Sequence, residues 1–409
     1  MYSRFARLAR AHSEALTQRV IASLVPLGYN CSMKFAPAFS GTSLGLRAFP
    51  NTLERWFPMP QMLLPRAVGV DISDSSIKWL VLEGPPGKRR IHSYGQEPLE
   101  HGIVVDGTVH DVPRLAAALS AVKLHAGGID CAHAALPEEA AYVFSMRVVE
   151  GSSRAQILSM IEFEFEARVP IAPKDAVYDF NIIAEHGEGG EEIGVVVFPR
   201  DLAETYVAAF SAAGIHLLSL EIEARSIARA VSSGTSDEPI TLLVDFGRAR
   251  TGFAVLKRGI PIFTSTVTVG GDAMTRAIME KLGLSEEEAV RFNDEQGLLA
   301  EGGRTSPGAE ALSGVAASLA DEVARHYHYW DTRRNERGER MTPVERVFLV
   351  GGSANLKGLC DYISARVQAE TIRPDVWQHV SSLDDYIPQI DRRTSLQYAT
   401  AVGLALRGM

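Results

Sequence analysis

The stretch VGVDISDSSIKWLVLE, residues 68 to 83, decides the fold of the chain. Apolar residues alternate with Gly69 and Asp71, which is the period of a β-strand. The small hydrogen-bonding residues Ser73 to Ser76 then favour a tight turn, and a second apolar run follows it. The stretch therefore predicts two strands joined by a turn, with Asp71 near the end of the first and Lys78 in the second. Such a unit is either an ordinary hairpin or a phosphate-binding turn.

A similar unit recurs near residue 240. ITLLVDFGRARTGFAVLKRG, residues 240 to 259, contains an apolar strand, Asp245, a turn with a glycine and a further strand. A third stretch, VGGSA at residues 350 to 354, follows another apolar run, and we expect it to end a strand and open a helix. Strands and helices alternate between these stretches, which is typical of an α/β architecture. The pattern indicates two halves that each begin with a strand–Asp–turn–strand unit.

The composition is that of a globular protein with more than one domain. The chain has 409 residues, a net charge of −9 and three cysteines, Cys31, Cys131 and Cys360. It lacks the basic field of a general nucleic-acid binder, so we expect no nucleic-acid partner. The cysteines form no CxxC pair, which indicates a reducing compartment and neither a disulfide framework nor a zinc site. No apolar run approaches the roughly 18 residues that cross a bilayer. We expect a soluble body in the cytoplasm.

The first 65 residues differ from the rest and are treated as an N-terminal extension. Residues 1–25 carry four arginines against one glutamate, with apolar residues that roughly share one helical face. A basic amphipathic helix of this kind can lie on an anionic membrane surface. The simpler interpretation is a poorly ordered extension or a start codon placed too far upstream. Residues 37–65, rich in Pro, Gly, Phe and Met, are interpreted as an irregular segment over the domain surface.

One segment, QILSMIEFEFEAR at residues 156 to 168, fits two kinds of secondary structure. Every second residue from Ile161 is apolar, as in a strand, but so is every fourth residue from Ile157, as in a helix. Two serines precede the segment and either can cap a helix, and its Glu and Ala residues favour helix. We therefore predict a helix that ends before Pro170.

The three stretches at residues 71, 245 and 351 together predict a phosphate site. Two small-residue turns that face each other across a cleft can hold a polyphosphate with backbone N–H groups, hydroxyls and the ammonium of Lys78. Asp71 and Asp245 would repel phosphate, so we expect them to hold a hydrated Mg²⁺ that bridges to it. A Gly-Gly turn lets the backbone approach an adenine or ribose, because no Cβ blocks it. Each stretch alone is a weak signal, and only their order predicts ATP and Mg²⁺.

In that order the stretches resemble the ordered signature of the actin-like ATPase superfamily, which includes actin, Hsp70 and the sugar kinases. Within the superfamily the chain is similar to the PilM family, cytoplasmic proteins of type IV pilus assembly that are related to FtsA. The resemblance runs from about residue 66 to residue 409 and includes AALPEEAAYVFSMRVVEGSSRAQ, which is similar to the PilM insert. It implies an α/β fold of two duplicated lobes around a nucleotide cleft, with a small inserted α+β subdomain.

The resemblance also implies a division of the chain. Residues 66–137 and 216–238 would form lobe 1A, and residues 138–215 would form the inserted subdomain 1C. Residues 239–409 would form lobe 2, in which 2B covers about 271–340 and 2A covers the rest.

Site residues follow from the same resemblance. The first phosphate loop would comprise Asp71, Ser73, Asp74, Ser75, Ser76 and Lys78, and the second would comprise Asp245, Gly247, Arg248 and Thr251. Adenosine would be held by Gly351, Gly352 and Ser353, and Gly270 and Gly271 would line the same cleft. Glu288 or Arg291 would lie near the base, and Asp71 and Asp245 would hold Mg²⁺ through water.

Two positions leave alternatives open. Glu223 would be the acid that activates water, the alternative being a carboxylate on a helix surface. Family members usually have glycine where this chain has Ser73. Its β-carbon would crowd the phosphate or its hydroxyl would donate to it, and we expect donation, with slow hydrolysis and at most a weak ATPase.

The function that the resemblance implies is an ATP-binding scaffold of the type IV pilus inner-membrane platform. It would capture the cytoplasmic N-terminal tail of a PilN-like membrane protein in a groove between 1A and 1C, and contact other platform proteins. Its place would be the cytoplasm at the inner face of the membrane, with peripheral contact through residues 1–25. The alternatives are a sugar or carboxylate kinase, for which we find no clear substrate acid, and an FtsA-like filament protein. FtsA tethers through a C-terminal amphipathic helix, and we expect none here because the sequence closes with ALRGM, so residues 1–25 would be the tether.

Overall fold

The computed structural model describes residues 66–184, 190–295, 298, 307–334, 338 and 340–407. The predictions for the N-terminal extension, residues 1–65, lie outside the described residues. Within the described ranges, no helix combines the length and the apolar character needed to cross a membrane.

Strands and helices alternate along the chain, as the sequence predicts. The strands are β1 (Val68–Ile72), β2 (Ser76–Glu83), β3 (Arg90–Pro98), β4 (Val104–Val105), β5 (Thr108–Val109), β6 (Cys131–Leu136), β7 (Tyr142–Val148), β8 (Ala176–Ala184), β9 (Glu191–Pro199), β10 (His216–Ile222), β11 (Thr241–Phe246), β12 (Thr251–Lys257), β13 (Ile260–Val267), β14 (Arg346–Val350) and β15 (Glu370–Ile372). The α-helices are α1 (Val112–His125), α2 (Arg154–Arg168), α3 (Arg200–Ala212), α4 (Glu223–Val231), α5 (Gly271–Leu282), α6 (Glu286–Glu295), α7 (Pro307–Thr332), α8 (Leu359–Val367), α9 (Arg392–Ser395) and α10 (Ala399–Ala405).

Two five-stranded sheets share one strand arrangement. The first sheet has the order β10-β6-β1-β2-β3, and the second has the order β15-β14-β11-β12-β13. In each sheet the central strand, β1 or β11, pairs antiparallel with the next strand along the chain and parallel with a later one. All five residues of β1 are buried, which fits a central strand covered on both faces. The repeated arrangement confirms the duplication that the two strand–Asp–turn–strand units predict.

A third sheet, of three strands in the order β7-β9-β8, lies between the two halves in the sequence. Helix α2 covers it, which confirms the prediction of helix over strand for this segment. Ser153 and Gln156 form a capping box at the start of α2, and Ile157, Ile161 and Phe165 are buried along one face of the helix. These side chains and the strands form a hydrophobic cluster of their own, separate from the main core.

The three-stranded sheet contacts the second five-stranded sheet as well as the first half of the chain. Strands β7 and β9 pack against β13. Lys257 Nζ, at the end of β12, lies 2.5 Å from Glu192 Oε2 of β9. The guanidinium of Arg258 donates to the carbonyl of Ile183, at 3.2 Å. Arg225 of α4, in the first half, donates to Asn181 Oδ1 of β8 at 3.1 Å, so the small sheet is fixed to both halves.

The C-terminal helix α10 crosses back from the second half to the first. It packs on β1, β2, β6 and α4. A Cβ on Gly69 would lie 2.2 Å from the carbonyl oxygen of Ala401, so strand and helix are in close contact. The predicted division places residues 239–409 together in lobe 2, whereas α10 packs on the first sheet. The difference arises because the apolar face of α10 is buried by long-range contacts that a division along the sequence does not show.

Candidate functional site

Three parallel strands of the first sheet each end beside a carboxylate. Asp71 is the last residue but one of β1, Glu138 follows β6 after one proline, and Glu223 follows β10 directly. Because β1, β6 and β10 are parallel neighbours, their carboxyl ends meet at one edge of the sheet. Asp245 occupies the matching place in β11 of the second sheet. The structure thus brings together the two predicted aspartates and the predicted Glu223, and adds Glu138.

Burial raises the pKa of all four carboxylates, and the charges of neighbouring carboxylates raise those of Asp245, Glu138 and Glu223 further. Burial raises the pKa of Asp71, and the nearby Lys78 opposes that rise. Burial and the charge of Asp71 raise the pKa of Asp245 to about 6. Lys78 faces Asp71 directly across the β1–β2 pair. The site therefore carries more negative charge than its ammonium group can balance, which favours a cation.

Glu138 is the site residue that the sequence predictions missed. Its side chain is only 5 % exposed, and its Oε1 atom has no hydrogen-bond partner. Burial and the charge of Asp245 raise its pKa to about 8, opposed by a hydrogen bond from the backbone of Ala224. A Cβ on Gly252 would lie 3.2 Å from Glu138 Oε2, so the carboxylate also touches β12 of the second sheet.

Glu223 lies in the acidic cluster, and the alternative of a helix-surface carboxylate does not describe its position. It is half-buried at the first residue of α4. Burial raises its pKa well above the ordinary value, and the charges of Asp71, Asp245 and Glu138 raise it further. Its assignment as the acid that activates water stays a prediction.

The first loop is a compact turn that uses its own hydroxyls. The backbone N–H and the hydroxyl of Ser73 both donate to the carbonyl of Ser76, at 2.9 Å each. Ser76 is buried, and the carbonyl of Ser75 accepts a hydrogen bond from the backbone of Leu99 at 2.9 Å. The hydroxyl of Ser73 therefore closes the turn in this structure, and its donation to phosphate stays a prediction.

Asp74 belongs to the same loop, but its carboxylate turns towards another hairpin. It accepts the backbone N–H groups of Asp106, at 3.2 Å, and Gly107, at 3.1 Å, in the turn between β4 and β5. It also forms an ion pair with Arg250 of the second loop. Asp74 thus connects the first loop to the β4–β5 turn and to the second loop.

The second loop, the glycine turn and the start of α5 meet at one carbonyl. The carbonyl of Gly247 accepts the backbone N–H of Gly271 at 3.0 Å and the hydroxyl of Ser353 at 3.1 Å. A Cβ on Gly271 would lie 2.0 Å from Ser353 Oγ, and one on Gly270 would lie 2.4 Å from the carbonyl oxygen of Arg248. The absence of side chains at these two glycines is what permits the contact. The three predicted segments are therefore brought together.

Arg248 and Thr251, also predicted in the second loop, are held by contacts within the second half. Arg248 pairs with Asp272 at 2.8 Å and lies 3.6 Å from Glu286, and its side chain is 63 % exposed. Thr251 is fully buried, and its hydroxyl donates to the carbonyl of Val269 at 2.5 Å. Direct contact of either side chain with phosphate stays a prediction.

The glycine turn after β14 lies against the second aspartate. Gly351 has a φ of +94°, and a Cβ there would lie 2.4 Å from Asp245 Oδ1. This position combines a left-handed backbone with a close approach, so it requires glycine. The turn continues as a short 3₁₀ helix, Gly352–Asn355, and α8 begins only at Leu359. The turn therefore ends a strand and opens a helix as expected, but this is a 3₁₀ helix, and Gly358, with a φ of +83°, separates it from α8.

Glu288 and Arg291 lie on α6, whose first residue, Glu286, approaches Arg248 of the second loop. Glu288 forms a capping box with Ser285, since its Oε2 accepts the Ser285 backbone N–H at 2.9 Å. Hydrogen bonds from Ser285 lower the pKa of Glu288. The position of either residue near a base stays a prediction.

The donor set fits a hydrated cation. In the described part of the chain, no group of three or more His, Cys, Asp or Glu side chains could hold a metal ion directly. Two aspartates near the ends of β1 and β11, which together outnumber the ammonium group of Lys78, suit a cation that keeps its water ligands, as Mg²⁺ does. The outer-sphere role of Asp71 and Asp245 is consistent with this geometry and stays a prediction.

Two duplicated five-stranded sheets, with an aspartate and a small-residue turn at each central strand, define an actin-like ATPase fold. Solved structures agree. The chain is similar to a PilM-PilN type IV pilus biogenesis complex, with a TM-score of 0.69 and 20% identity, covering 84% of this chain and 98% of that one. Two further similar structures have TM-scores of 0.50. They are ethanolamine utilization protein EutJ from Carboxydothermus hydrogenoformans, at 18% identity over 86% of this chain and 91% of that one, and MreB5 of Spiroplasma citri bound to ADP, at 11% over 85% and 96%.

At these identities the structures show the fold alone. The family is shown by a sequence model. The model of the type IV pilus assembly protein PilM matches residues 69–409, and the chain belongs to that family.

Proposed function

We propose that this protein is an ATP-binding, actin-like scaffold of the type IV pilus inner-membrane platform. The observation that carries the proposal is the match of the PilM family model to residues 69–409. The acidic cluster between the two phosphate loops supports nucleotide binding, as does the similarity in fold to an MreB5 structure bound to ADP. The protein would work in the cytoplasm, at the inner face of the membrane.

The cleft would hold Mg-ATP between its two loops. Backbone N–H groups of the first loop and the ammonium of Lys78 would face the phosphates, and the turn at Gly351 would face the adenosine. Mg²⁺ would neutralise phosphate charge and bridge it to Asp71 and Asp245. Glu223 would orient the attacking water and would accept its proton only after losing its own, because burial and neighbouring charges raise its pKa well above the ordinary value, which fits slow hydrolysis.

The partner would be the cytoplasmic N-terminal tail of a PilN-like inner-membrane protein. The similarity to a PilM-PilN complex supports this choice. The tail would lie in a groove between the first sheet and the three-stranded sheet, away from the loops. Other platform proteins and, through residues 1–25, the membrane surface would add contacts. Because the small sheet is fixed to both halves, ATP binding in the cleft would change the affinity for the tail.

The test is a calorimetric titration of the full chain with Mg-ATP and with a synthetic PilN-type N-terminal peptide. Wild type should bind both ligands. Asp245→Ala should weaken Mg-ATP binding at least roughly tenfold and still bind the peptide without nucleotide.

A matched control is Asp321→Ala. Asp321 is a partly exposed aspartate of α7 that pairs with Arg366 at 2.8 Å, so its loss should leave both titrations unchanged. If wild type binds neither ligand, the proposal is wrong. Release of ADP that depends on an added sugar or on acetate would favour a kinase instead.

A further inference from the structure

Arg250 joins the two phosphate loops across the cleft. It lies in the second loop, immediately before β12. Its guanidinium forms ion pairs with Asp74 of the first loop and with Glu139 in the turn after β6. The carboxylate of Asp106, in the β4–β5 turn, lies 3.7 Å away. We call Arg250, Asp74 and Glu139 the loop tie.

The loop tie is partly enclosed, which strengthens it. The side chains of Arg250 and Glu139 are each 23 % exposed and that of Asp74 is 30 % exposed. Ion pairs of this burial are screened by salt less than surface pairs are. A guanidinium can donate to two carboxylates at once from its planar fork, which a single ammonium does less well.

The anchor of the loop tie in the first half is itself well held. Two backbone N–H groups of the β4–β5 turn fix the carboxylate of Asp74. The turn is fixed in its own place, because the buried hydroxyl of Tyr206 donates to the carbonyl of Gly107 at 2.9 Å. Arg250 therefore pairs with a part of the first half that these hydrogen bonds hold in place.

Arg248, two residues earlier, provides a contrast. Its ion-pair partners, Asp272 and Glu286, both belong to the second half, and most of its side chain is exposed. Of the two arginines in the second loop, Arg250 is the one whose ion pairs cross the cleft.

We propose that Arg250 is a positioning residue that holds the two phosphate loops in their facing arrangement before nucleotide arrives. A polyphosphate with its cation would link the two halves through charge, and the loop tie makes a comparable link from the protein's own side chains. Closure of the cleft would then depend less on nucleotide in this protein than in a variant that lacks the loop tie. The inference deepens the proposed function, since it assigns these loops to nucleotide, but the tie itself can be measured without any ligand.

The test is amide hydrogen exchange of the full chain without nucleotide, read over residues 73–76 and 247–251. Arg250→Ala should raise exchange in both loops by roughly tenfold. Arg250→Lys keeps the charge but not the fork, so it should give an intermediate increase. Glu139→Gln removes one anchor, and it should give a smaller increase than Arg250→Ala.

Lys257→Ala is the matched control. Lys257 ends the same strand that Arg250 precedes, and its ion pair with Glu192 also joins two sheets. Its loss should leave exchange in the two loops unchanged. The proposal is overturned if Arg250→Ala and Glu139→Gln both exchange like wild type, or if Lys257→Ala raises loop exchange as much as Arg250→Ala.

Addition of Mg-ATP separates the two proposals. If the loops bind nucleotide, Mg-ATP should return loop exchange in Arg250→Ala to the wild-type level. If Mg-ATP changes exchange in neither protein, the nucleotide assignment is wrong, while the ligand-free comparison still decides the loop tie. If Arg250→Ala does not fold, as judged by circular dichroism, loop exchange in Arg250→Lys and Glu139→Gln tests the proposal in its place.

Discussion

The carboxyl group of Glu138 is buried at the edge of the first sheet, and one of its oxygens has no hydrogen-bond partner. Burial and the charge of Asp245 raise its pKa to about 8, so the group holds a proton at neutral pH. A buried group with a pKa near the working pH is suited to proton transfer. The buried position of Glu138 lowers the stability of the folded protein but suits proton transfer in the cleft. This combination is common at functional sites.

Glu138→Gln should stabilise the nucleotide-free protein. A raised pKa in the folded state means that the contribution of Glu138 to stability is full below about pH 4.5 and is lost as the pH rises towards 8. Glutamine is neutral at every pH and avoids this loss. The variant should be more stable than wild type by roughly 1 kcal/mol at pH 5 and roughly 3 kcal/mol at pH 7, as measured by urea denaturation.

Glu310→Gln is the control for Glu138→Gln, because Glu310 is exposed on α7 in an ion pair with Lys281 at 3.3 Å. It should change stability little at either pH. A Glu138→Gln variant that is less stable than wild type at pH 7 would show that the native carboxylate is ionised and paired.

Individual residues of the site differ in how far the sequence predicts them. Asp71 and Asp245 follow from a local pattern, because each ends an apolar strand before a turn. The place of Glu138 in the site can be recognised only from the pairing of β6 with β1, which puts the ends of these parallel strands side by side. A glutamate just after a strand-ending proline was the available signal. The ion pairs of Arg250 could not be predicted, since their partners come from two other loops.

At the scale of single elements, α2 shows how a cap decides between two periodicities. The sequence fits both helix and strand, and the capping box of Ser153 and Gln156 favours helix. The turn after β14 shows the reverse case. The sequence correctly predicts a strand and a glycine turn, but the left-handed backbone of Gly358 delays the helix to Leu359. Backbone angles at glycine do not follow from the residue type, so this boundary was not predictable.

Ser153→Ala should destabilise the protein by about 1 kcal/mol, because the first turn of α2 loses its side-chain cap. Ser159→Ala, on the same helix, is the control. Its hydroxyl donates back to the carbonyl of Ala155 at 3.1 Å, and alanine is the better helix former, so it should be neutral or slightly stabilising. Chemical denaturation of both variants measures the difference. Equal stability of the two variants would mean that the cap contributes nothing.

At the scale of the whole molecule, the sequence predicts the duplicated α/β fold, and the structure and its relatives confirm it. The two turn motifs recur because the two sheets repeat one arrangement. The return of α10 to the first sheet was not predicted, since its partners are far away in the sequence. There, Arg229 donates to the carbonyl of Gly403 at 2.8 Å, and Arg407 forms an ion pair with the buried Glu221.

Gly403→Ala should destabilise the protein by about 3 kcal/mol or more. A Cβ on Gly403 would lie 1.7 Å from the carbonyl oxygen of Ser226 in α4, so the two helices would have to separate. Gly314→Ala is the opposite case, because a Cβ on this exposed glycine of α7 would meet no atom within 4 Å. It should stabilise the protein by about 0.5 to 1 kcal/mol. Thermal unfolding of both variants tests the pair, and a stable Gly403→Ala would contradict the close packing of α10.

The packing of α10 on β1 also means that the first sheet is completed late during synthesis on the ribosome. Strand β1 is translated more than 300 residues before the helix that covers it. The apolar surface of the first sheet therefore stays uncovered until α10 has been made, a period in which chaperones bind nascent chains. The half of the protein that is made first is completed last.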